Sequence, residues 1–146
     1  MKHITIIDPN CEEEVIIHAR HRTKPIEELE CFIEQMGTEL TGYGKDGRIV
    51  RLTPAEVHCF VVTEGKVFAL TATDRFTVRL PLYAIEEMLG ESFVKINQSC
   101  LGNVQKIARF DASIGGSLMV TFQNAHRDYV SRRQLKIVKE RMKFKL

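Results

Sequence analysis

The stretch VHCFVVTEGKVFALTATDRFTVRLPL, residues 57–82, contains three runs of β-branched and aromatic residues separated by short segments with Gly, Thr or Asp. Runs of this kind, joined by turn-forming residues at short intervals, are typical of antiparallel strands connected by hairpins. The pattern predicts strands at residues 57–63, 67–73 and 76–80. An antiparallel sheet is therefore expected at the centre of the fold.

The pattern of short strands continues on both sides of this stretch. It predicts additional strands at residues 40–44, 48–52, 104–110, 118–122 and 127–131. Apolar residues that alternate with polar neighbours or lie at strand centres are expected to be buried. The predicted core comprises Phe60, Val62, Phe68, Leu70, Val78, Ile107 and Phe122.

Three segments have apolar residues at the spacing of an amphipathic helix. They are residues 25–36, residues 82–89 and a last helix that begins at Ser131. Ser131 and Gln134 match the S-x-x-Q pattern of a capping box, which predicts a side-chain cap at the start of that helix.

Residues 1–39 are expected to form an acidic extension. Clusters of β-branched residues predict strands at residues 3–7 and 15–20 around a turn at Asp8-Pro9-Asn10, and the first helix follows. The sequence thus predicts an α+β fold that is predominantly antiparallel β, with a strand–strand–helix extension in residues 1–39. We expect the extension to pack on a β body formed by residues 40–146.

Length and composition indicate one folded globular domain. The chain has 146 residues, of which 44% are hydrophobic and 27% are charged, and a chain of this size buries a substantial core. No uncharged apolar run approaches the roughly 20 residues that a membrane span needs, and the first residues lack the apolar core of a signal peptide. We therefore expect a cytoplasmic protein.

The net charge of +2 is distributed unevenly along the chain. Residues 1–40 contain 4 basic and 9 acidic residues, net −5, whereas residues 41–146 contain 17 basic and 10 acidic residues, net +7. Arg132 and Arg133 fall in the first turn of the last helix, where the helix dipole disfavours cations, and a polyanionic partner would offset that cost. The basic residues of this helix are Arg132, Arg133, Lys136, Lys139, Arg141, Lys143 and Lys145.

The sequence has no pattern typical of a metal site, a nucleotide site or a catalytic centre. The four cysteines form no Cys-x-x-Cys pair and are expected to be buried thiols, and His18 and His21 have no third ligand at a suitable spacing. Gly42, Gly44 and Gly47 match G-x-G-x-x-G, but a strand rather than a helix follows them, which favours a hairpin. No Ser-His-Asp or Cys-His arrangement stands out. We expect no catalysis, no cofactor and no small-molecule substrate.

The segment FVKINQSCLGNVQKI, residues 93–107, resembles the LytTR family of bacterial DNA-binding transcriptional regulators. It follows the family's order of an aromatic residue, a basic residue, a polar pair, a serine and an asparagine, here Phe93, Lys95, Asn97-Gln98, Ser99 and Asn103. The segment VSRRQL, residues 130–135, is similar to the family's strand end and helix start, and residues 57–89 are similar to its hairpin and small helix.

Two positions depart from the family's pattern. Asn97-Gln98 stands where the family often has His-Arg, and Gly102 replaces a usual aliphatic residue. The acidic residues 1–39 resemble the extension of a small subgroup that lacks the receiver domain of two-component regulators.

The resemblance implies that residues 40–146 form an elongated LytTR-type DNA-binding domain, which presents loops rather than a recognition helix to successive major grooves of double-stranded DNA. The Gln98 amide can meet adenine bidentately, and the Arg132 guanidinium matches O6 and N7 of guanine. Lys66, in the loop Glu64-Gly65-Lys66, is the expected third contact. The predicted DNA-binding set also contains Asn97 and three expected phosphate contacts, Lys106, Arg133 and Lys136.

The resemblance also implies partners other than DNA. It suggests a homodimer on tandem sites and a membrane-protein antagonist, for which the acidic extension is a candidate docking surface. The competing hypothesis is a β-rich protein-interaction module whose basic helix docks on an acidic partner. Salt-dependent retention of a defined duplex in preference to a random duplex distinguishes the two hypotheses.

Overall fold

The computed structural model describes residues 1–113 and 115–143, in which ten short strands and three α-helices form a predominantly antiparallel β structure. The helices are α1 (Lys24–Gln35), α2 (Leu82–Leu89) and α3 (Arg132–Met142). The strands are β1 (Leu40–Tyr43), β2 (Ile49–Leu52), β3 (Cys59–Thr63), β4 (Lys66–Leu70), β5 (Arg75–Val78), β6 (Phe93–Asn97), β7 (Cys100–Asn103), β8 (Ile107–Ala112), β9 (Leu118–Phe122) and β10 (Arg127–Val130). The predicted fold class is confirmed.

The strands form two antiparallel sheets. The larger sheet has seven strands in the order β2-β1-β5-β4-β3-β7-β6, and the smaller has three in the order β10-β9-β8. Because side chains alternate across a strand, Phe60 of β3 faces one side of the larger sheet, and Cys59 and Val61 face the other. Both faces of the larger sheet are therefore packed.

A separate hydrophobic cluster lies on each face of the larger sheet. On one face, Ile85 and Leu89 of α2 join the cluster that contains Phe60. On the other face, Phe122 of the smaller sheet and Val138 of α3 join the cluster of Cys59 and Val61. Burial of this apolar surface on both faces stabilises the larger sheet.

The predicted core is confirmed in part. Phe60, Val78 and Phe122 are buried, with 0%, 4% and 1% of their surface exposed. The other four predicted residues, Val62, Phe68, Leu70 and Ile107, are only partly buried at the margins of the two clusters. The guanidinium of Arg75 lies 3.9 Å from the centre of the Phe68 ring. A charged side chain therefore covers this ring. The alternation of side chains along the strand does not predict such a contact.

The two strands predicted at residues 3–7 and 15–20 are not formed, so that part of the prediction was wrong. The turn between them is present, because the Asn10 amide donates to Oδ1 of Asp8 at 3.0 Å. Ile4, Ile6 and Ile7 are between 81% and 88% exposed. Without a buried face or a third strand, a hairpin of this length gains too little from pairing to be stable.

Helix α1 packs on the β body, as expected for the extension, whereas residues 1–23 do not. Ile26 is buried, and Nε2 of Gln105 donates to Sγ of Cys31 at 3.9 Å. Nζ of Lys143 lies 2.5 Å from Oε1 of Glu27, and this hydrogen bond and charge lower the pKa of Glu27. These contacts connect α1 to the body near the end of α3.

The sequence pattern missed strands β6 and β7. Their residues include Asn97, Gly102 and Asn103, which are uncommon at the centre of a sheet but are buried here. A Cβ built on Gly102 would lie 2.8 Å from Cζ of Phe122, so the Phe122 ring fills the space of the missing side chain. The departure from the family's aliphatic residue is therefore accompanied by a large aromatic neighbour.

Two smaller predictions also differ from the structure. The strand predicted at residues 104–110 begins only at Ile107, because Val104–Lys106 forms a single 3-10 turn. Ser131 precedes α3 but makes no side-chain cap, so the predicted capping box was wrong. The amides of Gln134 and Leu135 donate to the Ser131 carbonyl instead, each at 3.0 Å.

Candidate nucleic-acid interface

Two hairpin turns lie side by side at one end of the larger sheet. They are the β6–β7 turn, which contains Gln98, and the β3–β4 turn, which precedes Lys66. The Val62 amide donates to the Ser99 carbonyl at 2.8 Å, and Val61 pairs with Cys100. We call this end of the larger sheet, with both turns and the start of α3, the basic end.

The start of α3 is held against the β6–β7 turn by the backbone. The Ser131 amide donates to the Ile96 carbonyl at 3.0 Å, and Ile96 is two residues before Gln98. Arg132 and Arg133 follow directly and are exposed. The first turn of α3, which follows β10, therefore lies at the basic end, next to Gln98.

Asn97 supports the β6–β7 turn from inside the protein. It is only 2% exposed, and its Nδ2 donates to Oδ1 of Asp128 and to the Tyr129 carbonyl, both at 2.8 Å. Its Oδ1 accepts the Ser99 amide at 2.8 Å. Because donors and acceptor are all engaged, the Asn97 amide is not available to a base edge. It connects the turn to β10 instead.

Asp128 is an anionic partner for Asn97. Burial raises the pKa of its carboxyl group, but the nearby imidazole of His126, with Nε2 3.8 Å from Oδ2, and hydrogen bonds from the Tyr129 amide and Asn97 outweigh that effect and lower the pKa. The carboxylate is therefore charged at neutral pH, and a hydrogen bond to a charged acceptor is stronger than a neutral one. The position of the Gln98 turn relative to α3 is fixed by this buried contact.

The exposed residues at the basic end are not neutralised by the protein. Lys66, Gln98, Arg132, Arg133 and Lys136 are exposed, and among residues 1–113 and 115–143 none of the four cations has a salt bridge.

Basic residues at the C-terminal end of α3 make contacts within the protein. Nη1 of Arg141 donates to the carbonyls of Glu91 and Phe93, at 2.5 and 3.3 Å, and Lys143 pairs with Glu27. Lys145 lies outside the described residues. Arg141 and Lys143 are thus engaged within the protein, whereas Arg132, Arg133 and Lys136 in the first two turns of α3 are exposed and have no salt bridge among the described residues.

Lys106 does not lie near the other predicted DNA-binding residues. It follows β7 at the opposite end of the larger sheet, where the Asn103 amide donates to the His58 carbonyl at 2.9 Å and the Gln123 amide donates to the Lys106 carbonyl at 2.8 Å. Burial, and secondarily the charge of Lys106, lowers the pKa of His58. Lys106 therefore belongs to a different surface from Gln98 and Arg132.

The described residues contain no cluster of side chains suited to a metal ion, and the Cys100 thiol is not activated. No group of three or more His, Cys, Asp or Glu side chains within them is placed to hold a metal ion. Cys59 and Cys100 are the buried cysteines, whereas Cys11 is exposed and Cys31 half-buried. A hydrogen bond with Cys59 and burial raise the pKa of Cys100, so this thiol is protonated and a poor nucleophile.

A membrane-spanning helix is likewise not found: within residues 1–113 and 115–143, each helix is too short or too polar to cross a bilayer.

Residues 47–143 match the LytTr DNA-binding domain family. The chain is 33% identical over 103 residues to an uncharacterized HTH-type transcriptional regulator of Staphylococcus aureus strain NCTC 8325, covering 70% of this chain and 69% of the relative. The corresponding protein of strain MRSA252 gives the same identity and coverage.

A solved structure has the same fold. It is a LytTr DNA-binding domain of a methyl-accepting/DNA response regulator from Bacillus cereus, with a TM-score of 0.67 and 18% identity, covering 73% of this chain and 98% of that structure. The names of the staphylococcal relatives refer to a helix-turn-helix, in which a short turn joins two helices. In the described part of this chain, strands separate each α-helix from the next.

Proposed function

Because this chain belongs to the LytTR family of DNA-binding domains, we propose that it is a sequence-specific transcriptional regulator that reads double-stranded DNA with the turns at its basic end. The observation that carries the proposal is the gathering of three exposed polar side chains from different elements. Lys66 begins β4, Gln98 lies in the β6–β7 turn and Arg132 begins α3. The protein acts by binding and performs no catalysis.

Gln98 and Arg132 are the proposed base-reading residues. A glutamine amide can pair bidentately with N6 and N7 of adenine, and an arginine guanidinium with O6 and N7 of guanine. The two side chains come from elements linked through Ser131 and Ile96. In the proposed arrangement the loops at the basic end enter successive major grooves, Gln98 and Arg132 read different base pairs, and Lys66 is the third contact.

Asn97 is proposed to position Gln98 rather than to contact a base. Its buried amide fixes the turn through Asp128, Tyr129 and Ser99. A turn held from within loses less conformational entropy when it binds, which favours affinity.

Arg133 and Lys136 are proposed to contact phosphates. Changing either residue to alanine is expected to weaken binding similarly on all sequences and to flatten the slope of log K against log salt by about 1, because one fewer counterion is released. The slope is measured by fluorescence anisotropy of a labelled duplex. Lys106→Ala is the matched control and should leave the slope unchanged. An unchanged slope for Arg133→Ala would remove that residue from the interface.

Selection of bound duplexes from a random library tests the proposed function. The full chain is expected to enrich a defined motif and to bind it more tightly than random duplex at 0.15 M salt. A protein-interaction module with a basic helix would also bind DNA at low salt, but it would enrich no motif. Failure to enrich a motif would therefore favour the competing hypothesis of an acidic protein partner.

Two copies are proposed to occupy tandem sites on DNA, and residues 1–39 are proposed as an extension on which a membrane-protein antagonist docks. The exposed Ile4, Ile6 and Ile7, with Phe32 on α1 and Met36 directly after it, support a docking role for the extension.

Without DNA, we expect only weak self-association, because two extensions that each carry a net charge of −5 repel one another. Light scattering at micromolar concentration should give the monomer mass. A stable dimer would contradict this expectation, and an Ile6→Glu variant would then test whether the extension is the interface.

A further inference from the structure

A second basic feature lies at the basic end, beyond Lys66. A groove of about 640 Å³ opens between the ends of β1 and β5 and the β3–β4 turn. Its lining includes the cationic residues Lys45, Lys66 and Arg79 and no acidic residue. Neither Lys45 nor Arg79 belongs to the DNA-binding set that the sequence predicts.

The strand order places this groove on the side of Gln98 that faces away from α3. Strand β7, which follows the Gln98 turn, pairs with β3, β3 pairs with β4, β4 with β5 and β5 with β1. With strands about 4.8 Å apart, β1 lies about 19 Å from β7 across the sheet. Arg132 and Lys45 are therefore on opposite sides of Gln98 along one edge.

Arg79 is held in the groove by an aromatic ring rather than by a carboxylate. Its guanidinium carbon lies 3.8 Å from the centre of the Tyr43 ring, which orders the side chain through a cation–π contact. By contrast, Arg48, which lies between β1 and β2 near Lys45, forms a salt bridge with Asp46, with Nε and Oδ2 2.7 Å apart. Among residues 1–113 and 115–143, Lys45, Lys66 and Arg79 have no salt bridge.

Three cations that converge without an acidic partner repel one another, and an anion between them removes that repulsion. They lie at the ends of three adjacent strands, β1, β5 and β4, which together extend over about 10 Å. Phosphates of one DNA strand advance by about 3.4 Å each along the helix axis, so this length corresponds to roughly three phosphate-to-phosphate steps.

We propose that this groove binds backbone phosphates of DNA that flank the base pairs read at Gln98. The inference rests on the proposed function and extends the interface to Tyr43 and Lys45, which precede residue 47, where the family match begins. The groove adds affinity and fixes the position of the protein on the duplex, but it reads no bases.

The test compares two double variants with equal loss of charge. Lys45→Ala/Arg79→Ala removes the two groove cations that the sequence did not predict. The control, Arg51→Ala/Arg75→Ala, removes an exposed cation of β2 and an arginine that stacks on Phe68 at 3.9 Å. Both variants are checked for unchanged thermal unfolding, and salt slopes are measured on a long duplex and on one shortened on the groove side of the selected motif.

On the long duplex, the groove variant is expected to flatten the salt slope by about 2 while keeping its preference for the motif over random DNA. On the shortened duplex, it should behave like the wild type, and the control should match the wild type on both. An unchanged slope for the groove variant, or an equal change in the control, would overturn the proposal.

The source of the phosphate is tested separately with inorganic phosphate and an NMR titration of the full chain. Shifts of the Lys45 and Arg79 amide signals together with an unchanged salt slope on DNA would identify a free-phosphate site and overturn the DNA proposal. Failure of the proposed function itself gives a different result, because the wild type would then not discriminate between selected and random duplexes. In that case the salt slopes of the wild type and the groove variant on random duplex would still test whether the groove binds phosphates.

Discussion

Replacing Arg132 with alanine is expected to weaken binding to the selected duplex by about 1–3 kcal/mol, with relaxed choice at one base pair and little change in stability. The loss has a specific cause, because an arginine that pairs bidentately with guanine leaves that base edge unpaired when it is truncated. If Arg132 were merely solvated in the first turn of α3, its replacement would leave binding unchanged and slightly raise stability, since its removal relieves repulsion from the helix dipole.

Gln98→Ala is expected to have a similar effect at a different base pair, and Gln98→Arg should shift the preference there toward guanine. Anisotropy titrations on single-base variants of the motif measure both effects. Arg127→Ala, an exposed arginine at the far end of β10, is the matched control and should bind as the wild type does. If both alanine variants bind selected and random duplexes with wild-type affinity, the assignment of the base-reading residues fails.

Truncation of Phe122 is expected to destabilise the β body strongly. Its ring is 1% exposed and lies directly over Gly102 and beside Ile96. Phe122→Ala should lower the free energy of unfolding by about 3–5 kcal/mol, because it removes buried apolar surface and leaves a cavity. Urea denaturation of the variant measures this loss, and Phe122→Leu provides a milder change should the alanine variant not fold.

Gly102 provides the control for that explanation. Gly102→Ala alone is expected to cost about 1–3 kcal/mol through overpacking against the Phe122 ring. In the Phe122→Ala background the added methyl group enters the cavity, so the two changes should be less destabilising together than their sum. Additive effects, or a loss below about 1 kcal/mol for Phe122→Ala, would mean that the contact between β9 and β7 is not as described.

The central strands were predictable because their side chains alternate and clear turn residues separate them. Leu118–Phe122 and helix Leu82–Leu89 have the predicted bounds, and β1 to β5 begin or end within two or three residues of their predictions. Strands β6 and β7 were not predictable in this way. Three of their buried positions are filled by Asn97, Gly102 and Asn103. The hydrogen bonds of Asn97 and the close packing of Gly102 depend on distant residues, Asp128 and Phe122.

In residues 3–7 and 15–20, by contrast, the sequence predicted strands that the structure does not form. Ile4, Ile6, Val15 and Ile16 have strand-forming side chains, yet local propensity is realised only where a neighbouring strand and a buried face exist. Such a face is absent in the described structure, where these side chains are exposed.

The sequence located some of the DNA-binding candidates at one end of the larger sheet but not all of them. Residue chemistry selected Lys66, Gln98 and Arg132, whose elements converge at the basic end. It could not separate the buried Asn97 from the exposed Gln98, nor place Lys106 at the opposite end of the sheet. Lys45 and Arg79 were missed. Arg79 could have been located beside Lys66, because β5 ends where its antiparallel neighbour β4 begins. The parity of strand ends does not place Lys45 there, because β1 is antiparallel to β5.

NMR mapping of the full chain with the selected duplex shows which end of the larger sheet binds DNA. We expect the amide signals of Lys66, Gln98, Arg132 and Arg133 to change on binding, while those of Lys106 and Asn124 at the opposite end do not. Changes concentrated around Lys106 and Asn124, with the β6–β7 turn and the start of α3 unaffected, would exclude binding at the basic end.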